Sequence, residues 1–403
     1  VAGPPSFPAW NPTPSPHPPR VPSPLPSGAS VHLRGVGPSP RDIATFARVQ
    51  HDLAPRDDVA VLPLLAEVEK VLSEANPFWR RASRQLWTAE HDGRAIGRIA
   101  AILDPEHERQ HGERCAYFGF FECVDDEPVA RRLLDAASAW ARDRGAVRMR
   151  GPLNPNINEE CGVLVDGFHL PNAVMMPHNP PWYPRLIESA GFAKAKDLVG
   201  FDIQVADGPA DRLSRIRDVV RRRFPGLLLK PVTRRNLRPL LPALTHVYNA
   251  SWERNWSAVP MSPEEITFLA ERLEPLLVDG LVWIAEANGE PAGLLLMVPD
   301  INPALRPLRG RLASPAILRA LPTLLGWRRP ERFRLIALGV TPPHRRRGLE
   351  GWMFAEGLAA AQRHGFVECE ASWVLEDNLP VQQLAAQFRG RITRRYRLYD
   401  RVL

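Results

Sequence analysis

At 403 residues the chain is long enough for two ordinary domains with separate cores, and its formal charge of +7 comes from 48 arginines and only four lysines. The arginines are scattered rather than gathered into a groove, a skew that a GC-rich genome explains better than nucleic-acid binding does. Four cysteines without a CxxC spacing fit a reducing cytoplasm, nothing approaches the ~18 apolar residues of a membrane span, and the first residues lack a signal peptide's apolar core.

Residues 1–30 are prolines and serines with little else, so they have nothing to bury and read as a disordered or polyproline-like tail. From about Val31 the pattern becomes globular. Residues 62–72 have the spacing of an amphipathic helix. Residues 85–90 and 95–103, joined through Asp92-Gly93, read as a β-hairpin. His107-Glu-Arg-Gln-His111 matches the HExxH zinc pattern. However, Asp104-Pro105 precedes it, Gly112 follows it and it has no apolar face, so it reads as a polar loop and no metal site is expected. Residues 117–124 form another strand. A helix follows, with Pro128 in its first turn and Val129, Leu133, Ala137, Trp140 and Ala141 inward; residues 147–150 begin the next strand.

The chain then runs Gly151-Pro-Leu-Asn-Pro-Asn-Ile-Asn-Glu-Glu-Cys-Gly162 and, later, Met175-Met-Pro-His-Asn-Pro-Pro-Trp-Tyr183. Amides, acids and aromatics on a long irregular loop suit ligand recognition, with Asn156, Asn158, Glu159 and Asn179 as candidate substrate contacts. A covering loop whose Asn and Pro residues only make turns fits equally well. Nothing supports Cys161 as a nucleophile.

The order of hairpin, strand, helix and strand recurs in the second half. Its hairpin spans 282–298 around Asn288-Gly289, and its segment ends match those of the first half, so the chain is a tandem repeat joined near residues 205–211. The second copy has an extra piece at about 300–332, rich in arginine, whose residues 316–325 could be a lid, a membrane-surface contact or a helix packed on the sheet. Next come the strand 334–340, the turn Thr341-Pro-Pro-His-Arg-Arg-Arg-Gly-Leu-Glu-Gly351, a helix ended by Gly365, and a strand over 366–374. Strand, basic glycine turn, helix and strand is an arrangement that holds a diphosphate, because free N–H groups and the helix dipole face the anion and the glycines let it approach. The first copy has Asp125-Asp-Glu127 at the matching turn, where acids repel an anion.

Val340-x-Pro342-x-x-Arg345-x-x-Gly348-x-Glu350 resembles the acyl-coenzyme A signature of the GNAT acetyltransferase superfamily, Arg/Gln-x-x-Gly-x-Gly/Ala, departing from it at Glu350. The resemblance implies an α+β fold of two tandem GNAT-like domains, each a mixed central sheet flanked by helices. The domains would be 31–205, degenerate, and 206–403, with the acyl-CoA site, after the tail 1–30. It implies acyl transfer, of acetyl or another acyl group from coenzyme A, to an amine of a small molecule or peptide, in the cytoplasm and without nucleic acid. The cofactor would meet Leu338, Val340, Arg345, Arg346, Arg347, Gly348, Gly351 and Asn378. Alternation along the strand 366–373 puts Glu368 and Glu370 on one face; these and Glu376 are base candidates, and Trp373 a substrate contact. The superfamily's general acid is often a tyrosine in the helix after Asn378, which here has none, leaving Tyr399 in the last strand. A Fem-type aminoacyl transferase and a non-catalytic acyl-CoA-binding or scaffold protein are the alternatives.

Overall fold

The computed structural model describes residues 30–55, 59–207 and 210–403, so the expected tail, apart from Ser30, lies outside the described residues. The first half opens with β1 (His32–Val36), α1 (Pro40–Leu53) and α2 (Leu65–Leu72). The hairpin β2 (Ser83–His91) and β3 (Arg94–Leu103) follows, then α3 (Pro105–His111), β4 (Cys115–Cys123), α4 (Glu127–Arg142) and β5 (Arg148–Gly151). Short strands β6 (Leu153–Asn154), β7 (Glu160–Cys161) and β8 (Val163–Asp166) lead to α5 (Tyr183–Ser189) and β9 (Ala193–Gln204). The second half begins with α6 (Ala210–Arg223), β10 (Leu227–Pro231), α7 (Leu237–Trp252) and α8 (Pro263–Leu273). Its hairpin β11 (Val282–Ala287) and β12 (Glu290–Pro299) precedes the short helices α9 (Asn302–Leu305) and α10 (Ile317–Leu324). It ends with β13 (Arg332–Val340), α11 (Leu349–Arg363), β14 (Glu368–Leu375), α12 (Leu379–Gln387) and β15 (Arg391–Val402).

Local chemistry sets many of these boundaries. Both hairpins turn on a pair at positive φ, Asp92-Gly93 and Asn288-Gly289, as the expected two-residue turns require. Ser39, Asp126, Ser262 and Asn378 each cap a helix whose first turn holds a proline, and at α8 Ser262 and Glu265 form a full capping box. The HExxH segment is a correction to the expected loop. Asp104 caps it, Pro105 opens it and Gly112 closes it at φ +69, so it forms the helix α3. Contacts with the second half replace the missing apolar face: His111 bonds the Ala258 carbonyl at 2.7 Å, and buried His107 lies 3.4 Å from the Ser257 hydroxyl.

Among the described residues, 13 strands make one sheet, ordered β1-β2-β3-β4-β5-β15-β9-β14-β13-β12-β11-β10 with β8 also on β15. The order is pseudo-symmetric about the β15–β9 pair, so the last strand of each half lies against the other half's strands. β15 pairs with β5, and β9 pairs with β14. Helices cover both faces. α4 and α5 pack on one face of the first half and α1 and α2 on the other; α11 and α7 take the corresponding places in the second. On α11 the buried Met353, Phe354 and Leu358 each contribute about 1.5–3 kcal/mol by leaving water.

Candidate functional site

Strands β13 and β14 run parallel only over residues 332–335 and 368–371, then diverge. Beyond that point β13 stays with β12 and β14 with β9, leaving a wedge between them. The Thr341 N–H donates to Ala292 on the β12 side, so alternation turns the N–H groups of Leu338 and Val340 toward the wedge. A bulge between β12 and β13 leaves Ile336 as an extra residue and directs it to the same place.

At the end of β13 the chain enters α11 through Gly348, at φ +78 and with no side chain capping the helix. The side chains of Arg345, Arg346 and Arg347 are exposed around this turn. The Arg345 guanidinium reaches back to the carbonyls of Val340 (3.2 Å) and Ser251 (2.9 Å), and Arg347 lies 5.4 Å over the Phe224 ring. Glu350 is half-buried; burial raises its carboxyl pKa, while its own backbone N–H and then Arg345 oppose that rise. α6 packs alongside, bringing Val220 to 3.1 Å from where a Gly348 side chain would begin, with Arg221, Arg222 and Arg223 exposed in its last turn. A helix start that no side chain caps, with guanidinium groups around it, fits a diphosphate.

The matching place in the first half is built differently. β4 and β5 also diverge after three residue pairs, but Leu153 and Asn154 fill that wedge. The Asn154 side chain accepts from Phe120 N at 2.5 Å, and a β-carbon on Gly119 would lie 1.8 Å from the Leu153 carbonyl oxygen. At the start of α4 Asp126 caps the helix, while Arg185 pairs with Asp125 and Glu127.

On the α7–α8 face, the wedge of the second half opens into a cavity lined mainly by apolar side chains. Ile336 and Trp373 come from the diverging strands, Leu241 and Trp252 from α7, and Leu269 and Leu273 from α8. Its polar lining is sparse. Tyr248 donates to Asn158 Oδ1 at 3.2 Å, and burial raises its phenol pKa, keeping it a neutral donor. Glu159 is held by Arg272 Nη1 at 2.8 and 2.9 Å, and Arg334 and Ser372 form part of the floor. Glu370 is fully buried behind that floor, with one oxygen 3.7 Å from Arg334; burial raises its pKa against the pull of Arg334 and Arg394. A second cavity lies on the same face of the first half, and Glu159, Met175 and Leu273 line both.

The structure thus gathers Asn158, Glu159 and Trp373 at one cavity. Asn156 makes a turn by accepting from Asn158 N, and Asn179 clamps the backbone of Leu164. Leu338 and Val340 lie on the wedge strand, with Val340 in the α11 core. Gly351 lies in the first turn of α11, and Asn378 caps α12. Glu368 bonds Gln204, Glu376 pairs with Lys194, and Tyr399 packs in the first-half core with its hydroxyl on Glu188, so these three do not line the cavity. Tyr248, Trp252 and Arg272 come from α7 and α8, two helices not among the elements expected from the sequence. Their signals were present in the run Leu237, Leu240, Leu241, Leu244, Val247, Tyr248 at helical spacing and in the Ser262–Glu265 box. Among the described residues no group of three or more His, Cys, Asp or Glu is placed to hold a metal ion, and no helix is long and apolar enough to cross a membrane.

No protein-family model matches the chain. It is similar to the bacterial ceramide synthase of Caulobacter vibrioides, 32% identical over 376 residues that cover 91% of this chain and 96% of that protein. It is also similar to protein YghO of Escherichia coli K12, 30% identical over 382 residues covering 90% and 93%. Among solved structures, a tandem GNAT protein from the clavulanic acid biosynthesis pathway superposes with a TM-score of 0.55 at 12% identity, covering 93% of this chain and 98% of that one. That likeness shows the fold, which is tandem GNAT.

Proposed function

Since the chain belongs to the family of the bacterial ceramide synthase of Caulobacter vibrioides and protein YghO of Escherichia coli, we propose that it is an acyl-CoA-dependent N-acyltransferase whose acceptor is a long-chain lipid amine. A ceramide is the amide of a fatty acid with a long-chain amino alcohol, so the reaction would be transfer of a fatty acyl group from a thioester to an amine. The observation that carries this reading is the apolar cavity opening from the wedge. A small polar amine or a peptide would leave most of its Leu, Ile and Trp lining unmatched, whereas an alkyl chain covers it.

In this reading the second half alone takes the acyl-CoA. Gly348 and the arginines 345–347 receive the diphosphate, aided by the last turn of α6. The N–H groups of Leu338 and Val340 polarise the thioester carbonyl, which supplies the acyl group. Glu159, the carboxylate lining the cavity, accepts the proton that the amine gives up as the C–N bond forms and the C–S bond breaks. Tyr248, turning its O–H away from Asn158 Oδ1, donates a hydrogen bond to the departing sulfur. Glu370 acts through Arg334, fixing the charge of the cavity floor. The first half, with its wedge filled by Leu153 and Asn154, is the platform that carries Asn158 and Glu159 to the site.

The test is incubation of the purified protein with a fatty acyl-CoA and a long-chain 2-amino alcohol, following free thiol and the amide by mass spectrometry. Thiol and amide should rise together, and Glu159→Gln should lower kcat by about 10²–10⁴-fold, the range for a lost general base. Acylation of short amino acids or aminoglycosides, with no turnover of any long-chain amine, would refute the assignment.

A further inference from the structure

The arginine-rich piece between β12 and β13 has no part in the chemistry above, yet it presents an unusual surface. Its inner side is ordinary core: Leu305, Leu308 and Ala320 pack with Val61. Its outer side is not. Leu312, Leu318, Leu324, Leu325 and Trp327 are all exposed, Leu318 at 70% and Trp327 at 79%. These are five of the twelve exposed large hydrophobic residues among those described; the other seven are spread along the chain from Leu33 to Val402. Apolar exposure concentrated in one short segment marks a surface that meets something else.

The charge around this patch identifies the partner. Between Asp300 and Glu331 the sequence has six arginines and no acid. Arg311 precedes the patch, Arg319 lies within it, and Arg328 and Arg329 follow it, all exposed. Arg311 faces Asp52 at 3.8 Å, and Arg329 contacts His364 at 2.6 Å. Along α10 and its C-cap, Leu318, Leu321 and Leu325 recur at spacings of three and four and form one stripe. Leucines and a tryptophan bordered by arginines are what an interfacial helix places between acyl chains and anionic headgroups.

We propose that residues 301–329 are a monotopic membrane-docking lobe that seats the protein on an anionic bilayer. The lobe also walls the second cavity through Ile301, Asn302 and Leu305, and that cavity meets the first at Glu159 and Met175. Docking would therefore set both cavities beside the bilayer surface. Use of that position to draw in a lipid amine rests on the proposed function; the docking itself does not.

The experiment is sedimentation of the full chain with vesicles of phosphatidylethanolamine and phosphatidylglycerol, compared with vesicles of phosphatidylcholine alone. Wild-type protein should pellet with the anionic vesicles, and the double variant Leu318→Ser/Trp327→Ser should bind at least about tenfold more weakly, having lost the interfacial side chains. Arg328→Glu/Arg329→Glu should abolish the preference for anionic vesicles. Melting temperatures should not change, because the altered side chains are exposed. Turnover of a long-chain amine presented in detergent micelles, where no bilayer has to be reached, should be equal in all three if the protein is an acyltransferase. Vesicle binding without turnover of any amine would refute the proposed function and leave the docking intact. Wild-type protein that stays in solution with anionic vesicles, or variants that bind as well as wild type, would overturn the lobe assignment. So would a dimer in solution that the Trp327 variant dissolves, because the patch would then be an interface between copies.

Discussion

Gly348 and His107 are two residues whose surroundings convert directly into measurements. Gly348 holds φ +78 at the mouth of α11, where a β-carbon already meets Val220 at 3.1 Å and where the proposed function needs an open backbone for a diphosphate. Gly348→Trp is expected to abolish acyl-CoA binding in titration calorimetry while the protein remains folded; full-strength binding would exclude this turn as the cofactor site. The His107 effect is one of linkage. Burial lowers its pKa from 6.5 to about 4, so the folded protein keeps it neutral while the unfolded chain protonates it first. The stability it contributes is present above about pH 6.5 and is lost as the pH falls toward 4. Between pH 7 and 5 the loss from this one group is about 2 kcal/mol. Urea unfolding of wild type and His107→Gln at the two pH values should differ by that amount, and parallel pH dependences would show that His107 is not the sensor.

Among the elements, β9 and β15 are held together by charges as well as by their ladder. Asp197 on β9 is almost fully buried and faces Arg397 at 2.8 Å and Lys194 at 2.9 Å. Burial alone would raise its pKa, but those two partners take it below the usual carboxylate value. Asp197→Ala should therefore cost about 1–3 kcal/mol, the range for lost hydrogen bonds to a charged group, because half-buried Arg397 and exposed Lys194 lose this carboxylate but keep Glu188 and Glu376; a loss below about 0.5 kcal/mol would show the pairs to be surface-like. How much of an element could be read from sequence depended on how local its signal was. The hairpin turns, the starts of α4 and α12 and the glycine turn before α11 are written in a few adjacent residues, and they were legible, although the equally local caps of α1 and α8 were not used. The cavity was not, because α7, α8, residues 157–159 and the floor at Arg334 and Ser372 come from distant parts of the chain. The α3 helix was misread for a related reason: its supporting contacts, Ser257 and Ala258, lie about 150 residues away.

For the whole molecule, the repeat could be read from the matched hairpins, but the placement of the two terminal strands could not. β9 and β15 have similar alternating patterns, and nothing local tells either strand which half to join. In the structure β15 lies between β5 and β9, and β9 lies between β15 and β14. A cut between residues 206 and 207 would therefore leave the first fragment without the partner of β5 and the second without the partner of β14. Each fragment would expose an unpaired sheet edge and the apolar faces that meet at β9 and β15, including Leu198, Tyr396 and Leu398. Residues 31–206 and 207–403, expressed separately, are expected to aggregate or to show no cooperative unfolding transition. Expressed together they should co-purify as a one-to-one complex, because β15 and β9 can still exchange between chains. Circular dichroism melts and size-exclusion chromatography with light scattering distinguish the outcomes. A first fragment that alone melts cooperatively at the temperature of the intact protein would mean that the halves are independent domains and that the strand exchange contributes nothing to holding them together.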